Sequence, residues 1–120
     1  MICLMNENPK FYSTVEIDGK KFATIKAKTH LDDAELQERC YVRKKGKDGV
    51  PEFDVLFEKM NIIRIRQALT EDEKCGWEID KPVTEDNISL LPDPVYRLLL
   101  SKINEIDKSW QDENLAGNSD

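Results

Sequence analysis

Val83-Thr-Glu-Asp-Asn-Ile88, Leu90-Leu-Pro-Asp-Pro-Val95 and Leu98-Leu-Leu100, closing on Ile103 and Ile106, decide the fold of this 120-residue chain. Thr84 is placed as an N-cap, and Val83 with Ile88 forms a hydrophobic staple around it. Leu91-Pro92 stops that short helix. Asp93 then caps a second helix whose Pro94 sits at the first position, where the missing N–H costs nothing. Val95, Leu98, Leu99, Ile103 and Ile106 share one face at helical spacing. Two helices in close succession make the C-terminal half helical.

Upstream, 53–70 reads as the main helix. Phe53, Leu56, Phe57, Met60 and Ile63 form one apolar arc. Val55, Ile62, Ile65 and Leu69 form another, roughly opposite and interrupted by Glu58. Two arcs mean a helix buried between layers, or one face for the core and one for a partner. The second alternative makes Val55, Ile62, Ile65 and Leu69 partly exposed partner-binding residues. Trp77 in the polar connection 70–83 and Trp110 near the end join them as candidates, because tryptophan is enriched at binding hot spots.

The N-terminal half has β character. Asp18-Gly19 is a two-residue hairpin signal between Phe11–Ile17 and Lys20–Lys28. The turn sets Ile17 opposite Lys20, Glu16 opposite Lys21 and Val15 opposite Phe22. Residues 32–40 read as a short helix with Asp32 as N-cap, Glu35 three later, and a Leu31–Leu36 staple. The basic stretch 42–51 reads as a loop, or as a hairpin tip if Tyr41-Val42 pairs with the Val50–Phe53 region. The expected fold is α+β: an N-terminal β-hairpin packed on three to four helices. Residues 11–107 form one domain, with a flexible lead-in over 1–10 and a disordered tail over 108–120.

Composition narrows the function. The net charge is −6 and the pI about 4.9, an acidic balance that disfavours general binding to phosphate backbones. No apolar run approaches the ~20 residues of a membrane span. Met1–Met5 is apolar but lacks a basic flank and a cleavage site, so it does not read as a signal peptide. Cys3, Cys40 and Cys75 form no disulfide or metal spacing, which suits a reducing cytoplasm.

Chemistry has few candidates. The single histidine, His30, has no nucleophile setting near it and reads as ordinary surface. The acidic clusters Asp32-Asp33 and Glu85-Asp86 lie in first helical turns, where the dipole favours them. Glu71-Asp72-Glu73 lacks the calcium-loop pattern, and Gly46–Gly49 lacks the phosphate-loop spacing. Arg43-Lys-Lys-Gly-Lys47 reads as a solvated tip. No catalytic, cofactor or metal residue is expected, and the chain is not expected to be an enzyme.

The ending resembles that of the tail assembly chaperones of long-tailed bacteriophages and related prophage elements. Trp77, Val83, Thr84, Asn87, Ile88, Leu91, Pro92, Val95, Leu99, Leu100, Ile103 and Ile106 match the pattern, and the similarity covers roughly 53–107. Glu85 stands where the pattern has proline, Asp86 where it has glutamate, and Asp107 where it has asparagine. The resemblance implies a chaperone of virion morphogenesis that binds the tape measure protein and keeps it soluble in the host cytoplasm. Such proteins are normally absent from the mature virion, and many have a longer frameshifted form that recruits the major tail protein. A different class, a tail-completion or connector subunit that oligomerises and stays in the particle, is the alternative.

Overall fold

The computed structural model describes residues 11–46 and 48–118, with side chains through Ser109. The lead-in expected over 1–10 and the side chain of Trp110 lie outside that description. The architecture is α+β: a β-hairpin followed by four helices, with a helical C-terminal half.

Strands β1 (Tyr12–Ile17) and β2 (Lys20–Lys26) form the hairpin. Asp18 and Gly19 have φ of 53° and 78°, the paired positive values a type I′ turn requires. The register starts as expected, with Ile17 opposite Lys20 and Glu16 opposite Lys21. A bulge then intervenes, and Val15 lies opposite Ala23 rather than Phe22. The shift aligns Ala23 and Ile25, both fully buried, on the covered face of the sheet. A short strand β5 (Gly76–Trp77), in the stretch read as connection, pairs with Ala23 and Thr24 and makes β2 the central strand.

Helix α1 spans His30–Cys40 and begins earlier than expected. Thr29 is its N-cap, in a full capping box with Asp32 at N3. Leu31 is 78% exposed, so it makes no staple with Leu36. Strands β3 (Tyr41–Lys45) and β4 (Pro51–Val55) form a second hairpin, with Tyr41 opposite Val55 and Arg43 opposite Phe53. The main helix, α2, therefore spans Phe57–Thr70 and not 53–70. The short α3 (Glu85–Ser89) is capped by Thr84, whose side chain accepts from Asn87 N–H at 3.1 Å. Helix α4 spans Asp93–Asn118, so it continues over 108–118, where a disordered tail was expected.

The core joins β2, α2, α3 and α4 through Ile25, Ile65, Leu69, Ile88, Leu99 and Ile103. Each such side chain contributes roughly 1.5–3 kcal/mol on burial. A smaller cluster of Leu36, Cys40 and Ile63 joins α1 to α2, with Met60 against it. Helix α2 is thus buried between layers. The expectation that Val55, Ile62, Ile65 and Leu69 are all partly exposed fails, because Ile65 is 0% and Leu69 2% exposed. Ile62 is half-buried against the same core, and half-buried Val55 lies on β4. The physical reason is that the helix begins only at Phe57, and the sheet and α4 cover its Ile65–Leu69 side.

Polar side chains also cross the interior. Lys26, 3% exposed, pairs with Asp32 at 2.8 Å and Glu71 at 3.1 Å. Arg64 makes a bidentate pair with Asp107, at 2.9 and 2.8 Å, and reaches the Lys26 carbonyl at 2.9 Å. Gln67 donates to the Asp32 carbonyl at 3.0 Å and to Glu35 at 2.9 Å. Burial pushes the Asp32 carboxyl up, but hydrogen bonds from Glu71, Lys26 and Thr29 outweigh it and hold its pKa at about 2. Burial and the neighbouring Asp32 push Glu71 in the opposite direction, above its ordinary value.

Candidate partner-binding surface

The connection after α2 is shaped by two side-chain hydrogen bonds. Trp77 Nε1 donates to the Lys81 carbonyl at 2.8 Å, which folds 77–81 back under the indole. Asn87 Nδ2 donates to the Pro82 carbonyl at 2.9 Å, fixing the same segment to α3. Helix α3 is in turn tied to α1. Glu85 takes a bidentate pair from Arg39 at 2.8 and 3.1 Å, and the Arg39 hydrogen bond holds its carboxyl below the usual range.

These constraints leave an apolar groove lined by Trp77, Ile79, Leu90, Leu91 and Pro92, with Lys81 and Asn87 at its polar edge. Its cavity is about 190 Å³. Small-molecule sites occupy roughly 300–1,000 Å³. The groove is therefore the size of a socket for one or two side chains. Leu90, 76% exposed, stands on its rim. The backbone reason is local: α3 ends at Ser89, and the Leu90 and Leu91 N–H groups still donate to Asn87 and Ile88. The chain then turns at Pro92 before α4, and Leu90 is left facing solvent.

A second exposed apolar region surrounds the root of the β3–β4 arm. Among the described residues, Phe53 is 61%, Leu56 41% and Phe57 69% exposed, with Tyr41 at 44%. The arm side chains of β3 are all exposed, as are those of β4 except half-buried Val55.

Of the residues singled out from the sequence, Trp77 lines the groove. Ile65 and Leu69 belong to the buried core, and Ile62, like Trp77, is half-buried against it. Val55 lies apart, on the arm. Ile79, Leu90 and the arm-root aromatics were missed. The available signal was Leu90-Leu91-Pro92: two leucines at a helix end cannot both face inward.

Two carboxylates tie helices together. Glu85 is the Arg39 partner and joins α3 to α1, and Asp107 is the Arg64 partner and joins α4 to α2. Of the described thiols, Cys40 and Cys75, neither is activated as a nucleophile. Burial and the Asp72 charge push Cys75 up to about 11, and burial raises Cys40. Among the described residues, no group of three or more His, Cys, Asp or Glu is placed to hold a metal ion. No helix among them is long and apolar enough to cross a membrane. Comparison with protein-family models, curated proteins and solved structures finds no match.

Proposed function

We propose that the chain is a tail assembly chaperone, which binds the tape measure protein in the host cytoplasm and keeps it soluble while a phage tail is built. One observation carries the reading. Four of the positions that make the resemblance, Trp77, Asn87, Leu91 and Pro92, line one apolar groove. The motif thus coincides with a surface as well as with helix caps.

The groove suits the task. An amphipathic helix docks by placing a few apolar side chains into such a socket. Trp77 supplies a large rigid wall and exposed Leu90 an apolar rim. So small a socket gives limited affinity per site, which permits release when the tube subunit arrives. The net charge of −6 keeps a complex with an apolar partner in solution.

The test is co-expression with the tape measure protein of the same genome, scoring the latter's solubility and co-purification. Both are expected to rise with the chain present. A tape measure protein that stays insoluble and unbound, together with the chain in purified virions, would replace this reading with a structural virion component.

A further inference from the structure

The β3–β4 arm is a two-stranded ribbon with two open edges, and the edges are not equivalent. Gly46 N–H donates to the Val50 carbonyl at 3.1 Å, and Leu56 N–H to the Cys40 carbonyl at 2.8 Å. Antiparallel ladders alternate bonded and non-bonded pairs. Val42 opposite Asp54 and Lys44 opposite Glu52 are therefore the bonded pairs. Arg43 opposite Phe53 and Lys45 opposite Pro51 are non-bonded, and turn their backbone groups outward. On β4 that outward row is broken, because Pro51 has no N–H. On β3 it keeps the Arg43 and Lys45 N–H groups, the Tyr41 N–H being taken by the Gln37 carbonyl, so the two edges differ above all in side-chain charge.

Side chains add a charge code. Residues of one parity share a face. Lys44 lies with Glu52 and Asp54, and pairs with Asp54 at 3.1 Å. Arg43 and Lys45 lie on the opposite face with Tyr41, Phe53, Pro51 and Val55, where the arm has no carboxylate. We infer that the outer edge of β3 accepts an extended acidic segment of a partner protein as a third strand, with carboxylates beside Arg43 and Lys45. A second copy of this edge is a poor occupant, since antiparallel self-pairing would set these cations against one another. Gly46 keeps the tip closed: a Cβ there would meet the Val50 carbonyl oxygen at 2.3 Å. The ribbon is thereby held ready for strand addition.

The probes are two blocked octapeptides, one alternating glutamate and valine, the other lysine and valine, added to the full ¹⁵N-labelled chain. With the acidic peptide, amide exchange at Arg43 and Lys45 is expected to slow at least tenfold, and the effect to fade in 0.5 M salt. The basic peptide is expected to change nothing. Lys45→Gln should weaken binding about 2–5-fold. Lys45→Pro should abolish it by removing an outward N–H, while Val42 and Lys44 amides stay protected by the inner ladder. Equal protection by both peptides, protection confined to another edge, or concentration-dependent protection without peptide would each overturn the inference. Should Lys45→Pro open the arm, the comparison of the two peptides on the unaltered chain still decides.

Discussion

Ile65 and Leu90 are both aliphatic, and the fold assigns them opposite roles, which alanine substitution separates. Ile65 is 0% exposed between the sheet and α4. Ile65→Ala removes three carbons, about 2.4 kcal/mol at ~0.8 kcal/mol each. The cavity left behind adds about 1 kcal/mol more, giving a total of roughly 3–4 kcal/mol. Leu90 is 76% exposed, so about a quarter of its surface is covered. Leu90→Ala should therefore cost about 0.5 kcal/mol. With a urea slope of roughly 1.5–2 kcal/mol/M, the midpoint should fall by about 2 M for Ile65→Ala and about 0.3 M for Leu90→Ala. Equilibrium unfolding followed by far-UV circular dichroism reads both. A near-wild-type midpoint for Ile65→Ala, or a fall above about 1 M for Leu90→Ala, would refute the assignment of faces.

Other outcomes follow from the same geometry. Asp107→Asn leaves buried Arg64 with a neutral partner and should destabilise by about 2–4 kcal/mol, measured as a lowered urea midpoint. Stability should fall as pH drops below about 4. Asp32, Glu35, Asp72 and Glu85 all have depressed carboxyl pKa values, so their stabilisation is present above the unfolded values and is lost on acidification. Glu71 has the opposite sign: its raised pKa costs stability as it ionises. Glu71→Gln should therefore fare relatively better at pH 7 than at pH 4, and a reversed order of its urea midpoints relative to wild type would contradict this. Gly46→Ala should open the arm tip and speed amide exchange of Lys44 while leaving the thermal midpoint nearly unchanged, because the arm contributes little to the core.

Much of the fold was legible because its signals are local. Asp18-Gly19 specifies the first turn from two residues, and Thr84 marks α3 within four. The Val95–Ile106 stripe marks the apolar face of α4. The hairpin alternative for 42–51 holds, with Tyr41 and Val42 opposite Val55 and Asp54, but the start of the main helix is misplaced into β4 for a physical reason: Phe53, Leu56, Phe57 and Met60 keep a helical period across the strand end. An exposed ribbon with no buried face leaves no clean alternation to oppose that pattern. The interior polar groups were illegible for a different reason. Arg64 finds Asp107 43 residues away, and Gln67 finds the Asp32 carbonyl at a separation of 35. Trp77 was identifiable by residue type, but its groove depends on a hydrogen bond to the Lys81 carbonyl that no spacing rule announces.

The most direct test of the groove as the holding surface is a quantitative pull-down of the tape measure protein by wild type and by Leu90→Asp, each first shown to be folded by its urea midpoint. A charge on the rim should reduce capture at least tenfold while the midpoint moves by less than about 0.5 M, since Leu90 lies largely outside the core. Undiminished capture by a folded Leu90→Asp would contradict the assignment and place the partner on another surface.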